Sequence, residues 1–324
     1  MSRIPNKIKK EGESHLSEIG NIDFQESPYC YHYTSLEVLV DMVQKQEIWL
    51  TNSMYLNDPK EFIDFLDSFI SLVKPEGPMA SLESFMQKQK QPLEQFENEF
   101  LHSAHFIFST GMNNDSLPMW NYYGKKGGVC ICFNTEQLYN SFTKAVGKKA
   151  KVYKCLYNGN NKKEPLEEAI KIWETHIKEN PQKGDIRYTY GEIWNVVRPY
   201  GYMFKQDVYS YEEEIRFVVE CGPDIPASKV SEKSSRENSE TINERGNTCL
   251  ETTYVVRNNQ LNPILKIKFN KFEEGLAQIP IEGITISPYL HGPVIKNGIK
   301  RLLHSNGYSG IVEEVKFSKY NIRY

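Results

Sequence analysis

The chain has 324 residues, a net charge of -3 and a pI near 6.2, with 39% hydrophobic and 12% aromatic residues. A chain of this length buries roughly three quarters of its unfolded surface, and its 20 Tyr and 16 Phe need that interior, so disorder of the whole chain is excluded. The acidic balance excludes a global positive field for nucleic acid or anionic membrane and leaves only local basic patches; no apolar run is long enough to span a bilayer, and Met1 to Gly20 lack the apolar core of a signal peptide.

Residues 1–27 read as a polar lead-in, and 28–324 as a single α+β domain. Tyr29 to Thr34 is aromatic and β-prone, a first short strand. Thr34 or Ser35 can cap a helix in which Leu36, Leu39, Val40 and Val43 recur at helical spacing. Ile48 to Thr51 is a second strand. Asn57-Asp58-Pro59 is turn chemistry leading into a helix with Phe62, Phe65, Leu66, Phe69 and Ile70 on one face. A further helix is expected over 81–103, a strand over Phe106–Thr110, and a helical turn over Pro118–Tyr123.

Gly127-Gly128 precedes Val129 to Phe133, whose continuous apolar run predicts a central strand. Helix is expected over 135–146, 164–180, 189–205 and about 293–306. Strands are expected over Lys151–Leu156, Tyr211–Glu220, Tyr254–Val256, Leu265–Phe269, Ile281–Ile286 and Ile311–Phe317. Helical insertions thus fall at about 60–103 and 135–205, and the polar stretch at about 223–247 reads as a mobile surface insertion. Short strands with interspersed helices, in no regular βαβ rhythm, argue α+β. The six cysteines form no C-x-x-C pair, so a reduced, cytoplasmic chain is expected.

Phosphate-loop, dinucleotide-fold, nucleophile-elbow and H-E-x-x-H motifs are missing from the sequence. Three segments carry candidate chemistry. His32 and Thr34 share a strand face, and His32 could donate to a ribose hydroxyl with Thr34 joining it, although the residues alone favour a core histidine in an aromatic strand. Around Ser109, Met119-Trp120-Asn121-Tyr122-Tyr123 runs toward Gly127-Gly128; exposed aromatics there could stack a planar ring, or form an aromatic core under a loop. In a strand, Glu212, Glu214 and Arg216 share one face, so two carboxylates and a cation could hold a sugar hydroxyl and stabilise a cationic transition state. The structural alternative is a solvated ion-pair ladder on an edge strand.

In order, His32-Tyr33-Thr34, Leu56-Asn57-Asp58-Pro59-Lys60-Glu61, Phe108-Ser109, Met119-Trp120-Asn121-Tyr122-Tyr123, Gly128-Val129-Cys130, Glu212-Glu213-Glu214-Ile215-Arg216 and the ending from Ser318 to Arg323 make a series of motifs. This series resembles a large bacterial family, the domain of unknown function 2971, over roughly residues 29–324. More distantly, the order of His32, the tyrosines and Glu214 is similar to the ADP-ribosyltransferase superfamily of the His-Tyr-Glu type. Trp120 and Arg216 depart from that pattern, and Asn57-Asp58 has no counterpart in it.

The resemblance implies a split, mainly antiparallel mixed sheet with NAD as substrate in its cleft. His32 would contact a ribose, Tyr122 or Tyr123 would stack the nicotinamide, and Tyr122 is preferred because it completes M-W-x-x. Glu214 would hold the nicotinamide ribose, Glu212 would orient an acceptor, and Arg216 would pair with one of them or contact the pyrophosphate. Tyr33, Thr34, Asn57, Asp58, Ser109 and Trp120 complete the expected nucleotide-binding set. An ADP-ribosyltransferase or NAD glycohydrolase is the implied activity, in a toxin or anti-phage defence setting. The acceptor is open between protein, nucleic acid, small molecule and water, with room for a regulatory protein partner and none for a membrane. The rivals are a metal-dependent hydrolase or nuclease of a phosphorylated ligand, through Asp58, Glu61, Glu212 and Glu214, and a non-catalytic nucleotide-sensing module.

Overall fold

The computed structural model describes residues 22–56, 61–73, 82–88, 105–124, 127–146, 150–157, 159–179, 198–220, 250–257, 259–269, 278–320 and 322. Asn57, Asp58 and the polar stretch 223–247 lie outside the described residues, as does most of the polar lead-in. Two compact units divide the chain: Met1–Ile22, Asn57–Leu101 and Tyr153–Ser210 in one, and Asp23–Leu56, His102–Val152 and Tyr211–Tyr324 in the other. The first unit draws on the segments expected as helical insertions.

The second unit begins with β1 (Tyr29–Thr34) and α1 (Leu36–Lys45). Ser35 caps α1 by accepting from the Val38 amide at 3.4 Å, and Leu39, Met42 and Val43 form its buried stripe. The helix stops at Gln46, which adopts a left-handed φ of 53°. From there the Gln46 side chain reaches the Tyr308 hydroxyl and accepts from the Ile279 amide, so one polar residue ties the helix end to two distant segments.

β2 (Glu47–Asn52), β3 (His105–Gly111), α3 (Leu117–Tyr122), β4 (Val129–Asn134) and α4 (Thr135–Val146) follow in this unit, then β6 (Glu214–Glu220), β7 (Leu250–Arg257), β8 (Gln260–Lys268), β9 (Ile281–Ile286), α6 (Pro293–Ser305) and β10 (Val315–Phe317). The sheet order is β10-β9-β4-β1-β3-β2-β8-β7, with β6 on the remaining edge of β3. It is an open, mostly antiparallel sheet, and only β9 and β10 pair parallel along this path. Phe108, Phe133, Phe142, Phe217 and Phe269 pack as an aromatic core between one sheet face and α4. Such rings add specific geometry to a large buried area.

In the other unit, α2 (Glu61–Leu72) presents Phe65, Leu66, Phe69 and Ile70 inward, and the Phe65 ring meets Phe204 edge-on at 5.1 Å. A helical stretch at 82–88 and α5 (Gly159–Glu179), with Leu166, Ile170 and Trp173 buried, complete its described helices. β5 (Ala150–Lys154) leads into this unit. Among the described residues, no helix is long and apolar enough to cross a membrane.

Three expectations need correction. The strand expected from Tyr211 begins only at Glu214, because Asp207–Glu212 winds as a 3-10 turn and Glu213 turns left-handed at φ 43°. The strand expected from Ile311 begins at Val315, after a 3-10 turn over Ser309–Glu314. In the segment expected as helix over 189–205, Arg198–Met203 is a 3-10 helix, and 189–197 lie outside the described residues.

Candidate functional site

β3 organises the site because it is paired on both edges. β6 runs beside it from His105 to Gly111. On the opposite edge, β1 meets it at Gly111 and β2 meets it at Ile107 and Phe106. The carbonyl of Ser109 falls between those two pairings, where no strand residue is registered with it. His32 Nδ1 lies 2.9 Å from that oxygen. A carbonyl can only accept, so Nδ1 carries the proton and Nε2 presents a lone pair. Burial lowers the His32 pKa from 6.5 to about 4, the Ser109 bond opposing this and the charge of Arg257 adding to it. The imidazole is therefore neutral. Its ring also packs 4.6 Å from Phe108, on the side of the aromatic core.

The register Tyr31, Gly111, Glu214 and the pair Ser109, Arg216 define the other sheet face. Glu214 and Arg216 lie there as a buried ion pair, Nη2 to Oε2 at 2.8 Å, with relative exposures of 3% and 1%. Arg216 thus pairs with Glu214, one of the two partners weighed for it. Glu212 is equally buried at 3% but reaches the site from the 3-10 turn, not from the strand. The Tyr123 hydroxyl donates to its Oε1 at 2.7 Å. Its backbone comes so close to β3 that a Cβ on Gly111 would stand 2.7 Å from the Glu212 carbonyl oxygen.

The aromatic segment divides into an inner and an outer part. Trp120 is completely buried in a cluster with Tyr33, Met119 and Cys130, and its Nε1 donates to Asp115 at 2.7 Å. It is not available to stack a ligand. Tyr33 is also buried; it donates to the Asn113 carbonyl and accepts the Ser116 amide, each at 2.8 Å. Burial raises its pKa far above the usual phenol range. It pins the loop before α3, and Thr34 is buried beside it in β1. Tyr122, by contrast, is 67% exposed and stacks on Tyr211 at 5.8 Å and 24°. The structure therefore brings together Ser109, Glu214 and Arg216 on one face, with Tyr123 on Glu212. It sets His32 at the β1–β2 gap, and Tyr33, Thr34 and Trp120 in the core.

Several residues escaped the sequence reading. Tyr31 shares the face of Glu214 and packs against the Trp120 cluster. Asp115 accepts from Trp120 Nε1 and from Ser318 Oγ at 2.7 Å, and from the Lys319 amide at 2.8 Å. Arg257, at the end of β7, donates to Thr51 Oγ1 at 3.1 Å and loses basicity through desolvation. The signal for Tyr31 lay in the strand alternation, but partners hundreds of residues apart leave no local trace. Cys30 and Cys132 are free thiols that burial pushes up to about 12, so neither is poised as a thiolate nucleophile. Among the described residues no cluster of three or more His, Cys, Asp or Glu could hold a metal ion. Asp58, one of the four carboxylates of the metal-dependent alternative, lies outside them.

A family model described as a protein of unknown function (DUF2971) matches residues 119–217. The match opens at Met119 in α3 and closes at Phe217 in β6, so it spans Tyr123 and the Glu212–Arg216 segment, and it supports the resemblance to that family. No curated protein and no solved structure matches the chain.

Proposed function

We propose that the chain binds NAD at the gap between β1 and β2 and breaks the nicotinamide–ribose bond, as an ADP-ribosyltransferase or NAD glycohydrolase. The observation that carries this reading is His32, held neutral against the Ser109 carbonyl in that gap. Its Nε2 accepts from a ribose hydroxyl. This reverses the donor role expected of it, because the Ser109 carbonyl already takes the one ring proton. Tyr122, exposed and backed by Tyr211, supplies the face on which a nicotinamide stacks.

Bond cleavage passes through an oxocarbenium-like state. The electron pair of the C1′–N bond leaves with nicotinamide, whose ring charge is neutralised. The acceptor's oxygen or nitrogen then bonds to C1′ and releases its proton. Glu214, fixed by Arg216 on the sheet face opposite His32, stabilises the cation of a ligand that spans the gap, and Glu212, fixed by Tyr123, orients the acceptor. Protein, nucleic acid, small molecule and water all fit this chemistry as acceptor, and a toxin or anti-phage defence role fits a bacterial protein that consumes NAD.

The burial of Glu212, Glu214 and Arg216 favours a second reading, a nucleotide-sensing module without turnover. One experiment separates the two. The purified protein is incubated with NAD, with and without chelator, and nicotinamide is followed by chromatography beside the Glu214→Gln and Tyr122→Ala variants. Chelator-resistant release that falls by about 10²-fold or more in Glu214→Gln supports turnover. A thermal shift with NAD and no product supports sensing. Neither release nor shift overturns NAD binding, and release abolished by chelator points to the metal-dependent hydrolase. Because Tyr122 is exposed, its variant tests the stacking face even where Glu214→Gln unfolds.

A further inference from the structure

Ser318, Lys319 and Tyr320 are unused by the proposed NAD chemistry, yet they help to build a pocket. A cavity of about 260 Å³ lies where the loop after β9 meets the segment after β10, lined by Ser287, His291, Gly292, Phe317, Ser318, Lys319 and Tyr320 among others. Among the described residues its lining contains Lys319 and His291 and no acidic residue, although the chain as a whole is net negative. Two rings, Phe317 and Tyr320, form exposed walls. Each carries a lysine: Lys296 lies 6.0 Å from the Phe317 centroid and Lys319 lies 5.3 Å from that of Tyr320.

Lys319 stands outside the neighbouring ion pairs, whereas Lys296 also acts on the Glu313 carboxylate through its charge. Lys300 is taken by Glu313 at 2.9 Å, and Lys316 by Glu314 at 2.6 Å. Among the described residues, no carboxylate lies within ion-pair distance of Lys296 or Lys319. Ser287 is completely buried; its Oγ accepts the Tyr289 amide at 3.3 Å, and no acceptor among the described residues takes its proton. A buried hydroxyl with a proton to give, and a cation held only by a ring face, both favour an anion that accepts hydrogen bonds.

We propose that this pocket binds a phosphate monoester carried on one small planar ring or sugar, of nucleoside monophosphate size. Lys319 and Ser287 take the phosphate, and Phe317 and Tyr320 flank the ring. The volume falls just under the ~300–1,000 Å³ of drug-sized ligand sites, and none of the lining residues belongs to the proposed NAD gap, so the two sites are separate. It is nevertheless joined to α3: Ser318 Oγ donates to Asp115, which also holds Trp120, and the Tyr289 hydroxyl donates to Asn121. Occupancy at the pocket therefore bears on the helix that carries Tyr122.

Calorimetric titration of the full chain at low salt with uridine monophosphate, inorganic phosphate and uridine tests this. The expected result is one site for uridine monophosphate, weaker binding of phosphate alone and none of uridine. Lys319→Gln, on the surface and folding normally by thermal melt, should weaken binding about tenfold, the scale of one lost charge-assisted hydrogen bond. Ser287→Ala should weaken it as well, and Tyr122→Ala should leave it intact. The proposal is overturned if uridine monophosphate does not bind at millimolar concentration. It is equally overturned if binding survives Lys319→Gln unchanged and is lost in Tyr122→Ala, since the ligand would then lie at the NAD gap. Either failure leaves the nicotinamide-release experiment unaffected.

Discussion

The hydroxyl of Tyr123 donates to Glu212 Oε1 at 2.7 Å, joining residues 89 positions apart. This bond fastens the end of α3 to the turn that launches β6. The acceptor is a buried carboxylate, so its removal costs more than an ordinary hydrogen bond. Tyr123→Phe should lower unfolding free energy by about 1.5–3 kcal/mol, measured by urea denaturation. A loss below about 0.5 kcal/mol would mean that Glu212 draws its stabilisation from elsewhere.

Gly128 and Gly298 should respond to alanine with opposite signs. A Cβ on Gly128 would fall 2.0 Å from the Thr34 carbonyl oxygen and 2.7 Å from that of Gly124, backbone against backbone. Gly128→Ala should therefore destabilise by about 3 kcal/mol or more. Gly298 lies inside α6 with nothing within 4 Å. Gly298→Ala should stabilise by about 0.5–1 kcal/mol through helix propensity and a less disordered unfolded chain. Paired thermal melts decide both, and a stable Gly128→Ala protein would show that the β1–β4 approach is looser than described.

His32 gives stability a pH dependence. Folded, it titrates at about 4, against 6.5 for an ordinary histidine, mainly through burial. Between those values the unfolded chain binds a proton that the folded one refuses. The stabilisation is complete above pH 6.5 and declines as pH falls toward 4, by about 1–3 kcal/mol for a partly exposed ring. His32→Gln keeps a donor toward the Ser109 carbonyl without a titrating ring, so its denaturation midpoints should vary less over pH 4–6.5. An unchanged slope would assign the dependence to other groups.

Asp115 links two distant segments, and its loss should loosen both at once. Asp115→Ala removes the acceptor of the fully buried Trp120 Nε1 and both anchors of Ser318 and Lys319. The cost should be about 2–4 kcal/mol, the desolvation of at least one orphaned donor plus the lost charge-assisted bonds. Hydrogen exchange should accelerate in α3 and in residues 315–320 together. Acceleration in one alone would show that Asp115 does not couple them.

Local physics made much of this fold legible. Ser35 announces α1, Val129 to Phe133 announce β4, and the strands at 106–110 and 281–286 stand where their apolar runs put them. Glu212 was misplaced because Tyr211 to Val219 alternates as a strand does, and no glycine marks the left-handed turn at Glu213. Trp120 resembled a ligand platform because its partner Asp115 is too short a signal to show burial. The Glu214–Arg216 ion pair was legible from spacing, but its near-complete burial depends on packing that no local pattern encodes.

The strand order also sets a schedule for assembly on the ribosome. β1, β2, β3 and β4 occupy the interior of the sheet, while β7, β8, β9 and β10, all from Leu250 onward, form its flanks. Until those residues emerge, the outer edges of β4 and β2 have no ladder partner, and open apolar edges are where nascent chains pair wrongly. Newly made copies should therefore depend on holdase chaperones until synthesis passes Phe317, and truncation before Ile281 should yield aggregates rather than a smaller folded core.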